Sequence, residues 1–555
     1  MIGVICKNSQ KSTVEEFFQL FKTPWEFYNG NEQYDVILMT EEYSPLPKSR
    51  LFVLFGTTTT NFDICNQIQI SPDSEKSMIK VEEYTFPVNN VITFLNSNHH
   101  SIVKNEKDVA VGIKMSNPDM HMIRIGYDIF DEIEHLMTTG QETKHASFPT
   151  LDIHIDLLKR WMLDAGIQVI EIPPVPDKYL FTVCLTHDVD FIKITDHGLD
   201  HSVLGYIVRS IFTGFLRNYK SNITWKKMIK NWKALISLPF VYLGLTKDVW
   251  FDIDRYCEIE KDIPSTYFFL PYKEHPGKTK GKRQPRARMM KYDIQDYKPL
   301  IKNISSQGRE IGLHGLNAWD DDNIGKQEKR VLENLLEGKN VGVRIHWLYF
   351  KQESPQLLEN AGFLYDSTFG FNDAIGYKAG TSQVFKLPTT KNLLELQLSV
   401  MDTSLFYKRR MGVNEPKAMN MINKLIDQCK KFGGVLTINW HTRSLSPERN
   451  WDEFYIELIN LLKSEHVWFA SAHDVIRWFK IRRSIRFKSV SAQDDKISLD
   501  FPQIDDTGLP QFQLRVHTPV IKRRIENISQ HREQFCKTIP LNRNAESYRL
   551  VSHQR

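Results

Sequence analysis

The sequence predicts an α/β protein in which a (β/α) barrel is preceded by a smaller α/β domain and followed by a small β-rich tail. Its 555 residues are too many for a single hydrophobic core, so two or three domains are expected. Short apolar runs alternate with helical patterns along most of the chain. In the middle of the chain, β-like runs lead directly into acidic residues and histidines, which is how a β/α barrel builds an active site.

The first predicted domain spans residues 1–175. Tyr34–Met39 and Leu51–Phe55 are predicted to be buried strands because they are short, mostly apolar runs. Leu151–Ala165 has apolar residues at helical spacing and is predicted to form a helix. The proline-rich segment Ile172–Asp177 interrupts regular structure and indicates the domain boundary. The sequence assigns no activity to this domain.

The second predicted domain, residues 176–482, shows the β/α alternation most clearly. Helical patterns separate its strands, for example Glu353–Ala361 and Glu453–Ser464. The predicted strands are Leu180–Leu185, Thr266–Leu270, Arg309–Leu313 and Val435–Asn439. Polar residues at the carboxyl ends of such strands would meet on one face of a barrel.

The third predicted part, residues 483–555, alternates polar and apolar residues. Ile497–Phe501 and Phe512–Val516 are predicted strands, and the turn-like segment Asp505–Gly508 separates them. We therefore expect a small β appendage with a polar end.

Composition and charge narrow the functional classes. The formal net charge of +5 is small for this length, so no nucleic-acid partner is expected. The 6 cysteines are scattered, with no CxxC pair, which fits a reducing compartment. Met1–Lys7 lacks the features of a signal peptide, and no stretch reaches the roughly 18 apolar residues of a membrane span. A cytoplasmic location is therefore expected.

Four short segments near the predicted strand ends carry titratable side chains. They are Thr186–Asp190, Gly308–His314, Val343–His346 with Ala361–Thr368, and Asn439–His441. Asp188 and Asp190 are two residues apart on a strand end, so they can share one site, as a metal ligand or a base. Taken singly, these side chains also fit a capping aspartate, a hydrogen-bonded histidine or a surface ion pair. Their co-occurrence in one β/α unit favours a shared site.

Together these segments resemble the polysaccharide deacetylase family, also called the NodB homology domain or carbohydrate esterase family four. Asp188 and Asp190 match the family's Asp-x-Asp motif, Gly308–His314 matches Gly-x-Glu-Ile-Gly-x-His, and His441 matches its late strand that ends in histidine. Trp468–Trp478 resembles the closing strand and helix. The resemblance covers about half of the chain and extends to bacterial members with an extra N-terminal α/β domain. It implies a distorted barrel, often with seven strands.

The resemblance implies a role for each matched residue near the start of the barrel. Asp188 would be the general base, and Arg344, which matches the family arginine, would pair with it and hold it ionised. Asp190 and His314 would be ligands of a divalent metal ion, with zinc the first candidate.

Two further residues are assigned by the same match. His441 would be the general acid. Asp366, in the motif Tyr365–Ser367, would orient His441.

One position departs from the family pattern. Many members have a second metal-binding histidine four residues after the first, but Ala318 occupies that place here and cannot ligate a metal. Either a substitute ligand completes the site or the metal is weakly bound or missing. His187, Asn317 and His346 are the nearest substitutes in the sequence. His346 is two residues from the family arginine, so both can face the site from one strand, although an ordinary packed histidine is an equal alternative.

The resemblance implies a hydrolase acting on non-peptide carbon–nitrogen bonds. Its expected reaction is removal of an N-acyl group, with acetyl the first candidate, from an amino sugar of an envelope or surface polysaccharide or its precursor. A carbohydrate is thus the expected partner. Two alternatives stay open: a deacetylase-like protein that has lost catalysis and binds glycans, and a hydrolase of another non-peptide C–N bond.

A basic insertion, predicted to be helical, occupies residues 200–260. Between Gly205 and Lys247 it carries eight Lys or Arg residues and no acid, interleaved with aromatic and aliphatic residues at helical spacing. Such a pattern fits a helix at a membrane interface, for which Phe212, Phe215 and Trp225 are the aromatic candidates. It also fits helices packed on the barrel. Peripheral contact with the cytoplasmic membrane face is therefore a hypothesis, while the second basic run, Lys278–Arg288, either lines a path for an anionic substrate or is solvated.

Overall fold

The computed structural model describes residues 1–117, 120–198, 200–216, 225–279, 288–491, 496–501, 503–519, 535–542 and 547–549. They divide into two compact units. Unit 1 consists of Met1–Lys178, Tyr377–Pro388 and Arg477–Arg555, and unit 2 consists of Tyr179–Gly376 and Thr389–Ile476. The predicted three-domain division stays a prediction.

The described residues form strands and helices that alternate along most of the chain. The strands are β1 Ile2–Ile5, β2 Trp25–Phe27, β3 Val36–Met39, β4 Leu51–Phe55, β5 Gln69–Val81, β6 Tyr84–Asn96, β7 His100–Asn105, β8 Ala110–Ser116, β9 His121–Ile125, β10 Val169–Glu171, β11 Phe181–Val189, β12 Ser265–Phe269, β13 Glu310–Gly315, β14 Val343–Ile345, β15 Phe385–Lys386, β16 Leu394–Glu395, β17 Val400–Met401, β18 Val435–Asn439, β19 Val467–Phe469, β20 Arg486–Ser491, β21 Lys496–Asp500, β22 Gln513–Thr518, β23 Phe535–Pro540 and β24 Tyr548–Arg549. The helices are α1 Lys11–Phe21, α2 Asn61–Cys65, α3 Ile129–Thr138, α4 Thr150–Asp164, α5 His201–Leu216, α6 Trp225–Tyr242, α7 Ile253–Ile259, α8 Lys298–Ser306, α9 Asp322–Leu335, α10 Ser354–Ala361, α11 Asp402–Phe406, α12 Glu415–Phe432, α13 Asp452–Ser464 and α14 Ala472–Ser484.

Unit 1 is built on a nine-stranded sheet with the order β2-β1-β3-β4-β9-β8-β7-β5-β6. The pairs from β2 to β9 are parallel, and those from β9 to β6 are antiparallel. Strands β3 and β4 are wholly buried, because their apolar residues pack on both faces of the sheet. The C-terminal strands form two smaller antiparallel sheets, β10-β22-β23 and β20-β21-β24.

Unit 2 is built on a curled, barrel-like parallel sheet. Its strand order is β14-β13-β12-β11-β18-β17, and β19 pairs with the beginning of β11. All nine residues of β11 are buried, as expected for a strand with neighbours on both edges and layers on both faces. Beyond β14, Asp366 forms isolated bridges with Val343 on one side and Glu395 on the other. The predicted strands of this region lie within one or two residues of the observed ones, except that β11 continues to Val189.

The insertion between β11 and β12 is helical, as predicted. Helices α5, α6 and α7 occupy most of it. Among the residues that the structure describes, no helix has both the length and the hydropathy that crossing a bilayer requires.

Candidate active site

The carboxyl ends of four neighbouring strands bring the predicted site residues of unit 2 together. Asp188 and Asp190 lie at the end of β11, His314 lies in β13, Arg344 lies in β14, and His441 follows β18. The pairing is parallel throughout, with His314 level with Arg344. Parallel strands place their carboxyl ends on one edge, so residues more than 100 positions apart in the sequence meet there.

Asp188 is held by two fixed donors. Its Oδ1 accepts from Arg344 Nη1 at 3.0 Å, and its Oδ2 accepts from Asn439 Nδ2 at 2.8 Å. Burial would raise the pKa of Asp188, but the charges of His314, Arg344 and His441 outweigh it and hold the pKa below its usual value. Asp188 is therefore an ionised carboxylate in a buried position.

Arg344 is fully buried, and its donors are used in four directions. Nη1 also donates to Thr186 Oγ1 at 2.8 Å, Nη2 donates to Ser367 Oγ at 2.8 Å, and Nε donates to the Ser367 carbonyl at 3.1 Å. The guanidinium lies over the ring of Phe268 at 4.6 Å. Arg344 therefore fixes the orientation of Asp188 as well as its charge.

Asp190, His314 and His346 bring three ligand-type atoms within 4.8 Å of one another. His346 Nδ1 lies 2.9 Å from His314 Nε2, and Asp190 Oδ1 lies 3.4 Å from the former and 3.5 Å from the latter. That oxygen is buried and has no hydrogen-bond partner among the described residues. One carboxylate oxygen and two imidazole nitrogens facing one point form a donor set that suits a divalent ion such as zinc.

The protonation of the two histidines fits this arrangement. His314 Nδ1 lies 2.9 Å from the Arg344 carbonyl, and because a carbonyl only accepts, Nδ1 carries the proton and Nε2 presents its lone pair to the site. Burial lowers the pKa of His346 to about 3, so its imidazole is neutral. Burial would raise the pKa of Asp190, but His346, His314 and His441, which carry charge at the acid pH where Asp190 titrates, hold it well below its usual value.

The three substitute ligands considered for the place of Ala318 lie in different environments. His346 joins the group just described. His187 points elsewhere, with Nδ1 at 2.8 Å from the Trp440 carbonyl and Nε2 at 2.9 Å from Glu260 Oε1. Asn317 uses its Oδ1 to accept from the backbone N–H of residue 278 at 2.5 Å.

His441 is oriented by Asp402, a residue that the sequence analysis missed. His441 Nδ1 lies 2.6 Å from Asp402 Oδ1, and the backbone N–H of His441 donates to Asp402 Oδ2 at 2.8 Å. Nε2 then faces the two aspartates, 4.0 Å from Asp188 Oδ2 and 3.8 Å from Asp190 Oδ2. Burial would lower the pKa of His441, but the charge and hydrogen bond of Asp402 raise it above its usual value. The signal in the sequence was weak: a polar residue directly after the short apolar pair Val400–Met401.

Asp366 does not contact His441, contrary to the role expected for it. Its Oδ1 accepts from the backbone N–H of Thr368 at 3.0 Å and from the Thr368 hydroxyl. That hydroxyl accepts in turn from the backbone N–H of Ile345 at 3.0 Å. Burial raises the pKa of Asp366 to about 6. Asp366 thus supports the strand end that carries Arg344 instead of orienting the histidine.

Asp188, Asp190, His314, His346 and His441 line the floor of a cavity of about 640 Å³. This volume is within the range of small-molecule sites, about 300–1,000 Å³. Aromatic side chains form part of the wall, namely Phe191, Trp347, Phe406, Tyr407 and Trp451. The site can therefore hold a polar ring compound against aromatic surfaces, next to an ionised Asp188 and to His441, whose pKa is raised.

No protein-family model matches the chain, and no curated protein matches it. The structure is similar to a solved polysaccharide deacetylase from Mycobacterium smegmatis, with 17% identity, a TM-score of 0.33, and coverage of 56% of this chain and 94% of the other. A polysaccharide deacetylase from Pseudomonas aeruginosa PAO1 gives 15% identity, a TM-score of 0.34, and coverage of 56% and 94%. The Puue allantoinase gives 16% identity, a TM-score of 0.32, and coverage of 55% and 92%. Similarities at this level carry no functional argument.

Proposed function

We propose that this protein is a metal-dependent hydrolase that removes an N-acyl group, with acetyl the first candidate, from an amino sugar of an envelope or surface polysaccharide or its precursor. The observation that carries the proposal is one constellation at the cavity floor. The ionised Asp188 and His441, whose pKa Asp402 raises, lie next to the group formed by Asp190, His314 and His346. A base, an acid and a metal-type donor set are what amide hydrolysis requires.

The two catalytic side chains have opposite tasks. Asp188, kept ionised by Arg344, is placed to take a proton from an attacking water. His441, whose pKa Asp402 raises, is placed to give a proton from Nε2 to the leaving nitrogen. Their environments push the two pKa values in opposite directions, which separates the base from the acid.

Asp190, His314 and His346 would hold the metal ion. A divalent ion there would supply Lewis acidity to the acyl carbonyl. The alternative of a binding protein without catalysis depended on the alanine at position 318. The position of His346 makes that alternative less favoured, because this residue, directly after β14, provides a third donor.

The test uses Asp188→Asn, with Asp296→Asn as an exposed control in the same unit. Acetate release from N-acetylated amino sugars and oligosaccharides is measured with the full chain supplied with zinc. We expect the activity of Asp188→Asn to fall by about 10²-fold or more, as for loss of a general base. The control variant should keep the wild-type rate.

Full activity in Asp188→Asn would refute the assignment of the base. A wild-type chain that binds zinc and sugars but releases no acyl group from any of them would favour the binding protein. Turnover of small linear or cyclic amides in place of acylated sugars would move the function to another C–N hydrolase.

A further inference from the structure

The cavity wall carries more cationic side chains than its carboxylates balance. The cationic lining residues are Arg209, Lys408, Arg410, Arg443 and Arg449, and the lining carboxylates are Asp188, Asp190 and Glu448. Two of these carboxylates already face Arg344 and the paired histidines at the floor. Glu448 pairs with Arg443, with Oε1 at 2.8 Å from Nε and 2.7 Å from Nη2. Lys408, Arg410 and Arg449 therefore leave positive charge facing the cavity.

Two of these guanidinium groups contact neutral oxygens. Arg410 Nη1 donates to Thr403 Oγ1 at 2.6 Å. Arg449 Nη2 donates to the Tyr407 hydroxyl at 2.6 Å, and Nη1 donates to Ser444 Oγ at 3.2 Å. Within the described part of the chain, no carboxylate forms an ion pair with either arginine. Each group keeps donors in a planar fork that suits an oxyanion.

The position of these arginines shows which part of a substrate they would meet. Thr403, the partner of Arg410, donates its backbone N–H to Asp402 Oδ1 at 2.5 Å. Ser444, the partner of Arg449, donates its hydroxyl to Asp402 Oδ2. Thr403 and Ser444 thus each link one guanidinium group to the Asp402 carboxylate, which contacts His441. An anion bound there would lie on the side of the leaving nitrogen, which belongs to the sugar and not to the acyl group.

We infer that the substrate is an acylated amino sugar that carries a phosphate group, as in a sugar phosphate or a phosphate-linked glycan precursor. The inference rests on the proposed function. A phosphate with close to two negative charges matches the charge of the two arginines that form no ion pair, with Lys408 also in the cavity lining. A carboxylate would balance the charge of only one arginine. The basic run Lys278–Arg288 does not serve this purpose. Arg288 donates to backbone carbonyls, Lys278 pairs with Asp320, and residues 280–287 lie outside the described residues.

The experiment is calorimetric titration of the zinc-supplied full chain with three probes. They are N-acetylglucosamine 1-phosphate, neutral N-acetylglucosamine, and N-acetylmuramic acid, which carries a carboxylate. Arg410→Gln and Arg449→Gln remove the proposed contacts, and Arg409→Gln is the matched control because this neighbour is exposed and does not line the cavity. We expect the phosphate probe to bind about tenfold or more tightly than the neutral sugar. Each cavity variant should lose about 10- to 100-fold of that affinity, and the control should lose none.

Equal affinity for the phosphate and neutral probes would overturn the inference, and a preference for the carboxylate probe alone would replace phosphate by carboxylate. If either glutamine variant fails to fold in a thermal melt, Arg410→Lys or Arg449→Lys keeps the charge and should retain part of the phosphate preference. The acyl-release assay separates this inference from the proposed function. Equal turnover of phosphorylated and neutral sugars refutes only the inference, whereas phosphate-selective binding without turnover refutes only the hydrolase.

A second, independent observation concerns the outer face of helices α5 and α6. Their inner face packs on unit 2 through Val203, Tyr206, Leu238 and Val241, together with Trp250. Their outer face exposes large apolar side chains, namely Leu204, Val208, Ile211, Trp225, Ile229, Trp232, Ile236, Phe240, Leu243 and Leu245, the last two just beyond α6. More than half of the exposed large apolar side chains of the described residues lie in this one insertion. Such a concentration marks an interaction surface.

The apolar residues of α6 follow helical spacing. Ile229, Trp232, Ile236, Phe240 and Leu243 recur every three or four positions, so they form one stripe, and Ile236 and Leu243 are each 71% exposed. The predicted contributions of Phe212, Phe215, Arg217 and Lys220 fall on side chains outside the described residues.

We propose that this stripe, defined by Ile229–Leu243 with the exposed residues of α5, docks on an anionic lipid surface. The segment from Gly205 to Lys247 has eight cationic and no acidic residues. Lys227, Lys230 and Lys247 pair with carboxylates of neighbouring elements, and Lys233 on α6 is exposed. Basic and apolar residues on adjacent helices are what an anionic leaflet binds. The exposed Lys233 on the stripe's own helix suits an anionic leaflet, whereas a second copy of the chain would bring the same charge to the contact.

The test is co-sedimentation of the full chain with phosphatidylcholine vesicles and with vesicles that also contain phosphatidylglycerol. The double variant Ile236→Ser with Leu243→Ser removes the two most exposed members of the stripe, and Ile64→Ser, 67% exposed in unit 1, is the matched control. We expect binding to the anionic vesicles that weakens about tenfold or more in the double variant and is unchanged in the control. Negligible binding to both vesicles would refute the proposal. A concentration-dependent dimer that the double variant dissolves would assign the stripe to a second copy.

Discussion

Replacing Asp402 by asparagine removes the charge that faces His441 but keeps the size of the side chain. The carboxylate accepts four hydrogen bonds: Oδ1 from His441 Nδ1 and from the N–H of Thr403, Oδ2 from the N–H of His441 and from the Ser444 hydroxyl. An asparagine with its oxygen at the Oδ1 position keeps the first two. Its amide nitrogen then faces the Ser444 hydroxyl, which can turn to accept. The backbone N–H of His441 is left without an acceptor.

The structural cost of Asp402→Asn is therefore one unpaired N–H, about 1–3 kcal/mol of folding free energy. A domain of ordinary stability remains folded after such a loss. The larger effect is on the chemistry. Burial lowers the pKa of His441, and Asp402 is the foremost group that raises it, so the pKa falls in the variant. The imidazole is then neutral over more of the pH range, and kcat should drop by about 10²–10⁴-fold.

The assay is acyl release across a pH series for the wild type, Asp402→Asn and Asp366→Asn. Loss of the proton donor should move the alkaline limb of kcat to lower pH in Asp402→Asn. In Asp366→Asn the limb should stay in place even if the rate falls, because Asp366 contacts Thr368 and not His441. A limb that shifts in Asp366→Asn and not in Asp402→Asn would refute the assignment of the orienting carboxylate.

Three further results are expected. In differential scanning fluorimetry, zinc at 100 times its Kd should stabilise the wild type by about 2.7 kcal/mol, and His346→Ala should lose most of this stabilisation; an undiminished effect would remove His346 from the ligand set. Arg344→Met leaves Asp188 buried without its partner, so chemical denaturation should show a loss of about 3–5 kcal/mol, and the acid limb of activity should move to higher pH as the pKa of Asp188 rises. Burial would lower the pKa of His517, but its hydrogen bonds, including the one to Glu171, raise it to about 9 from 6.5. Its contribution, about 3 kcal/mol, is complete below the unfolded value and lost as the pH rises through 9, so the deficit of His517→Gln should shrink between neutral and alkaline pH; a deficit independent of pH would contradict the charged pair.

The parts of the fold that could be predicted are those whose strands are wholly buried. Leu51–Phe55 and Val435–Asn439 were predicted with their observed bounds, because continuous apolar runs between polar residues are distinctive. The antiparallel half of the unit 1 sheet, Gln69–Ser116, was not predicted. The residues of Gln69–Val81 are mostly exposed or partly exposed, so they carry no apolar run that would mark a strand. The tail strands were predicted, but sequence patterns do not show which strands they pair with.

The carboxylate proposed as the base, Asp188, and its partner Arg344 could be predicted for a different reason. Asp188 follows an apolar strand directly, and Arg344 lies in a motif that resembles a family pattern. Asp402 has neither advantage, since its strand is only two residues long. Its carboxylate reaches His441 because Met401 pairs with Asn439, which places the residues after β17 beside those after β18. This proximity depends on which strands pair in the sheet, and the sequence of neither segment shows it.

The third candidate metal ligand, His346, also depends on which strands pair. A histidine at position 318 would have to fit where Ala318 packs on helix α9: a methyl group built on Gly325 would lie 3.3 Å from the Ala318 Cβ, and one built on Gly315 would lie 3.6 Å from it. The methyl group of Ala318 is thus closely packed against both glycines. The register that sets His314 level with Arg344 instead places His346, two residues further on, beside the first histidine. Because one neighbouring strand can supply what another lacks, the spacing of ligands along the sequence cannot decide whether such a site is complete, whereas the pairing of the strands can.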